Sequence, residues 1–492
     1  MGSCAPTRLL LLIAVQCTQF CAVVAQNVAS GSDSVVSGGR LNTVTESFSS
    51  IGGGVANVVT SYSSAIGGGR WNTVSANFAT ISGGSGNTVR GVGAVVAGGV
   101  SNIALQQYSS VLSGSFNYVN DSWTSIAGGR SNTVTGIYSS VGGGVANVVT
   151  SYSSAVGGGR WNTASAHFAT VAGGSGNTVH GAASVVAGGM SNVVTSYASA
   201  ISGGRWNAAS GPWATVGGGS GNSVGATGAT VAGGVGNVVA AYSSTIGGGR
   251  WNAVSSYWGT VAGGSGNSAR GIAGAIAGGV GNIVSHNYSA VLGGNFNFVA
   301  GSWSSVAGGR YNSVTDTYSF IGGGAANAVV AYSSTVGGGR WNTVGAYFST
   351  VAGGSGNTVH GAGAVVAGGI VNVVTAYASA VGGGRWNSVG GSWSTVAGGS
   401  GNSVRGKGSA VAGGVGNAVS AYSSTVGGGL WNSVSSHWGT VAGGSSNSVH
   451  GVAAIVAGGV GNVASQNYSA VLGGDSNTVL GSWTAICGGR DN

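Results

Sequence analysis

Charge is scarce in this chain: Asp, Glu, Lys and Arg together make up 4% of its 492 residues. Proline occurs twice and cysteine four times. Disordered chains combine low hydrophobicity with high charge, and a 42% hydrophobic content excludes that class. Glycine reaches 104 residues, yet without a Gly-X-Y triplet and with so little proline a collagen helix is excluded. Cys4, Cys17 and Cys21 fall in the first 25 residues, leaving Cys487 alone, so no disulfide framework is expected. Cys487 reads either as a small unpaired residue or as a thiol pairing between molecules. Beyond the N-terminal segment, glycine and polar residues break every apolar stretch short of the roughly 18 residues a spanning helix needs, so no membrane insertion is expected.

Catalytic groups are equally sparse. The six acidic residues, Asp33, Glu46, Asp121, Asp316, Asp475 and Asp491, are too scattered for a carboxylate pair doing general acid–base work. His180, His360 and His450 lie 90 residues or more apart, out of reach of a shared metal. Calcium-binding glycine repeats carry an aspartate in each loop, and "GGSGN" has none. A single lysine argues against nucleic acid as partner. The chain is expected to be no enzyme and to need no cofactor.

Residues 1–25 differ in kind: Arg8 precedes "LLLLIAV", and "VVA" at Val23–Ala25 offers a small-residue cleavage site. This reads as a secretory signal peptide, which makes the expected location extracellular or cell-surface. Residues 26–492 then form one continuous repeat domain. From Asn27 an asparagine recurs every fifteen residues to Asn492. Counting each such Asn as position 0, position 12 is always Gly, position 11 is Gly except at Ser113, position 9 is Val or Ile, and position 2 is Val or Ala. The comb runs to the last residue with no capping pattern, which suggests a fragment or an array closed by something else.

A strict short period marks an array. Asn-x-Val at positions 0–2 and small-x-Val at 7–9 alternate with period two, the signature of strands. Gly-Gly supplies one turn and positions 4–6 the other. The expected fold is all-β: a parallel β-solenoid, a flattened two-sheet β-roll of 15-residue coils with strands of about four residues. Some 31 coils at about 4.8 Å each give an expected length of roughly 145 Å. Position 2 should meet position 9 in the core, and the position 11 glycine should let the sheets close. Asn72, Asn87, Asn237, Asn357 and their equivalents are expected to stack as a ladder, each side-chain amide bonding to the next.

Runs such as "NTVTGIYSSVGGGVANVVTSYSSAVGGG" resemble the head repeats of trimeric autotransporter adhesins. That resemblance implies a left-handed parallel β-roll, secretion to a cell surface, and three chains side by side. The Asn-x-Val…Val-x-Gly pattern also resembles the β-roll ice-binding proteins of grasses, which makes ice the alternative partner.

Coils group in threes, giving a 45-residue period. One coil type carries Arg-Trp before its Asn: Arg70-Trp71, Arg160-Trp161, Arg205-Trp206, Arg250-Trp251, Arg340-Trp341 and Arg385-Trp386. Aromatics such as Phe78, Phe168, Trp213 and Trp258 recur at the opposite turn. Every 180 residues the triplet breaks, with Leu112, Leu292 and Leu472 at an outward position. The three glycosylation sequons, at Asn120, Asn287 and Asn467, fall in or beside these breaks. Flat aromatics beside a cation suit an acidic polysaccharide or cell-surface glycan; the same pairs also suit packing against a neighbouring chain. The small outward residues at positions 8 and 10 form a nearly uncharged strip, expected to bury itself in a homotrimer or fibre. Against ice, no position holds Thr in every coil. The functional expectation is a secreted structural or adhesive fibre protein.

Overall fold

The computed structural model describes residues 26–492, so the signal-peptide reading lies outside the described residues. They form an all-β parallel solenoid: 62 strands, two per coil, giving 31 coils. Backbone contacts divide the described residues into two compact units, one ending at Gly228 and the other running Ala229–Asn492. Both repeat the same coil. In the first unit Thr73–Val74 pairs with Thr88–Val89, and Thr80–Ile81 with Val95–Val96, each in parallel and one coil on. In the second, Thr343–Val344 pairs with Thr358–Val359, and Thr350–Val351 with Val365–Val366.

The strands are two residues long, not four. Pairing instead spreads over three ladders, because position 13 adds a line of single bridges, such as Arg70↔Ser85 and Arg340↔Ser355. A coil that must turn within fifteen residues bends between short extended pieces rather than around two longer ones.

Positions 2 and 9 form the core. Val74 and Ile81 in one unit, and Val344 and Val351 in the other, are fully buried. Position 0 joins them, with Asn72, Asn87, Asn237 and Asn357 wholly inaccessible. The ladder differs from a simple amide stack. Asn357 Nδ2 donates to the carbonyl oxygens of Gly353 and Gly369, both at 3.0 Å, and reaches Asn342 Oδ1 at 3.1 Å. Asn357 Oδ1 accepts the backbone N–H of Asn372 at 3.0 Å. The recurring link runs from side-chain oxygen to the next backbone; amide-to-amide bonds occur in only some coils, as at Asn72 and Asn57. Each asparagine therefore clamps the carbonyls of two glycine turns and the next coil together. Asn237 does the same to Gly233 and Gly249.

The glycine roles are also reassigned. A Cβ at position 11 would meet nothing at Gly83 or Gly353, so this glycine does not close the sheets. Position 12 is the tight one: Gly354 has φ +92°, and a Cβ there would collide with the Gly369 carbonyl oxygen. A second buried ladder lies at position 7. Ser349 Oγ donates to Gly361 O at 2.8 Å, and Ser349 N–H donates to Ser334 Oγ at 3.2 Å.

Candidate functional site: two aromatic edges

Besides the glycine at position 12, each coil passes twice more through positive φ, at position 6 and at position 14. Glycine fills many of these sites, as at Gly86, Gly93 and Gly363. The others hold L-residues, and many are large. All 14 tryptophans of the chain sit at one of the two positions, with φ between 52° and 62°. A bulky residue there costs roughly 1–2 kcal/mol against a relaxed backbone. The same tryptophans are 54–76% exposed, so core packing does not offset that cost.

The Arg-Trp stripe forms one edge. Arg sits at position 13, held by the single bridges, and Trp follows at the left-handed position 14. The guanidinium carbon lies 4.8–5.1 Å from the adjacent indole centroid at Arg70-Trp71, Arg160-Trp161, Arg205-Trp206, Arg340-Trp341 and Arg385-Trp386. Arg70, Arg205 and Arg385 also donate through Nε to the position 13 serine one coil on, Ser85, Ser220 and Ser400, each at 3.3 Å. These bonds engage only Nε, so the two terminal nitrogens are not used by them. Several rings lean over the preceding coil: a Cβ on Gly236 would come within 2.6 Å of the Trp251 ring. The glycines one coil before Trp251 and Trp431, Gly236 and Gly416, make room for that lean.

This edge carries an open, glycine-lined groove in each unit. It is lined in the first unit by Gly189, Met190, Gly204 and Arg205, and in the second by Gly249, Arg250, Trp251 and Gly264. Charge gathers on this edge. Position 13 carries Arg40, Arg70, Arg130, Arg160 and Arg205 in one unit and Arg250, Arg310, Arg340, Arg385 and Arg490 in the other, ten of the fifteen basic residues. Among the described residues only Arg490 is ion-paired, to Asp475 at 3.3 Å and Asp491 at 3.7 Å. The Arg-Trp pattern picks out only part of this line: Arg40, Arg130, Arg310 and Arg490 share position 13 without a tryptophan after them.

The opposite edge, positions 4–6, is aromatic with little charge. Phe48, Tyr62 and Phe78 make edge-on contacts at 5.5 and 6.0 Å. Tyr318, Tyr332 and Phe348 do so at 5.5 and 5.7 Å. Tyr288 and Trp303 stack at 4.3 Å. Asn287 and Asn467 are exposed here, their Oδ1 atoms accepting the N–H groups of Ile272 and Val452. Asn120 differs, half-buried at position 3 directly after its strand. Positions 8 and 10 do face outward, as at Thr260 and Ala262. Cys487 is exposed. Among the described residues no His, Cys, Asp or Glu cluster could hold a metal, and no helix is long and apolar enough to cross a membrane. No protein-family profile and no curated protein sequence matches the chain.

Proposed function

We propose that this protein is a structural and adhesive β-solenoid of the extracellular space, without enzymatic activity, whose arginine–tryptophan edge holds a long acidic polysaccharide. The observation that carries this reading is the placement of every tryptophan, exposed, at a backbone position that disfavours it. Backbone strain held against the folding optimum is an accepted pointer to function. The chemistry of the ligand follows from the edge: unpaired guanidinium groups bind carboxylate or sulfate, and indole faces take the apolar faces of sugar rings. Stripe members three coils apart are separated by about 14 Å, a spacing that a polymer can bridge and a small molecule cannot. Weak contacts at successive members then sum to useful avidity. The likeness to adhesin head repeats favours the same attachment role, with self-association through the outward strip of small residues.

The test is electrophoresis of residues 26–492 through gels containing polygalacturonate. The wild type should be retarded, the retardation should fall as salt rises, and Arg340→Gln/Arg385→Gln should migrate faster through the polymer gel. Migration that is indifferent to the polymer would sink the reading.

A further inference from the structure

The edge opposite the arginines carries its own site, and the geometry points to a second, chemically different ligand there: a neutral polysaccharide presenting flat pyranose faces. This goes beyond the acidic-polymer reading and stands independently of it. The strongest stretch is in the first unit, where five rings from five consecutive coils form one continuous rail. Tyr108 meets Trp123 at 4.4 Å, Trp123 meets Tyr138 at 6.5 Å, Tyr138 meets Tyr152 at 5.6 Å, and Tyr152 meets Phe168 at 5.7 Å. Four coil steps of about 4.8 Å make the rail roughly 19 Å long. All five rings are exposed, and Tyr108, Trp123, Tyr138 and Phe168 occupy left-handed positions. The rail therefore carries the same backbone cost as the arginine stripe without its charges.

Three observations select the occupant. Along these five coils the edge holds no Lys or Arg, and its one formal charge is Asp121, which would repel a polyanion. Uncharged hydrogen-bonding groups interleave with the rings: the exposed Gln106 and Gln107 amides, the half-buried Ser122 and Ser151, and His167 beside Tyr152 at 6.1 Å. Burial against a second copy of this chain would require partners for the Gln106 and Gln107 amides and the Ser122 hydroxyl, whereas Ser151 Oγ already lies 3.2 Å from His167 Nδ1. A sugar polymer supplies hydroxyls to them and C–H faces to the rings at once, and its repeat suits an array without a cavity. With ligands of different charge on its two edges, the protein becomes a bridge between two kinds of polysaccharide.

The experiment titrates cellohexaose into residues 26–492, following tryptophan fluorescence and heat, with sedimentation on the same samples. Saturable binding that holds from about 0.05 to about 0.5 M salt is expected, since no ion pair contributes. In Trp123→Gly/Tyr138→Gly the backbone is relieved at φ 62° and 58°, so the fold should persist while affinity falls at least about tenfold. Ser131→Gly, which relieves φ 56° on the other edge, should bind as the wild type. Absence of cellohexaose binding, or unchanged affinity in the double variant, would overturn the proposal. So would dissociation of a wild-type oligomer into monomers in that variant, which would make the rail a contact between copies.

Discussion

The backbone N–H of Asn372 donates to the side-chain oxygen of Asn357 at 3.0 Å, while the Asn357 amide nitrogen holds glycine carbonyls in two successive turns. Asparagine suits this place because the site needs two N–H donors and one oxygen acceptor within a short reach. Asn357→Asp would set a carboxylate oxygen against the Gly353 and Gly369 carbonyls. A cost of about 2–3 kcal/mol or more is expected, comparable to Asn357→Leu. Hydrogen exchange in the coils flanking residue 357 should accelerate in both variants; unchanged protection would mean that the clamp contributes little.

The two glycines of each turn should respond in opposite ways. Gly354→Ala places a methyl group on the Gly369 carbonyl at φ +92°, whereas Gly353→Ala meets open space. The first should destabilise by several kcal/mol and the second by no more than about 1 kcal/mol. Denaturant midpoints of the two variants, measured side by side, check this ordering.

Much of this was legible in the sequence. The fifteen-residue period, the inward positions 2 and 9 and the buried Asn column all follow from side-chain alternation. Three things were not. Two-residue strands arise because the chain bends around a thin core, which alternation alone cannot reveal. The bridge line at position 13 mixes Arg, Ser and apolar residues such as Val55 and Val100, so no single residue type marks it. The left-handed conformation of positions 6 and 14 was hidden because aromatics occupy places where glycine is expected. The alternation of Gly86 or Gly236 with Trp71 or Trp251 at one position was the available clue.

Self-association is expected through the strip at positions 8 and 10. Ala232, Ala262 and Ala277 are exposed on one outward line in the second unit. Replacing all three with Lys should turn the oligomer into monomers in sedimentation experiments, since buried like charges are strongly disfavoured. A wild-type chain that is already monomeric at micromolar concentration would contradict this expectation.

Ice binding should be weak or absent. A flat ice-binding face needs the same side chain in register, and the outward position 1 runs Thr88, Ile103, Tyr118, Thr133 in successive coils. The tyrosine interrupts the plane. Thermal hysteresis of residues 26–492 should match that of a non-binding control protein, and strong hysteresis would restore the ice reading.

The account rests on the claim that aromatic residues occupy left-handed turns for their ligand rather than for the fold. The most direct measurement takes Trp341→Gly/Trp386→Gly, both at φ 56°, and records stability and polygalacturonate binding on the same sample. Relief of the backbone, about 1 kcal/mol per site, should offset the lost cation–π contact. The predicted result is a denaturation midpoint equal to or above that of the wild type, with binding to the acidic polymer largely lost. A variant destabilised by about 2 kcal/mol or more, or one that binds the polymer undiminished, would contradict the claim.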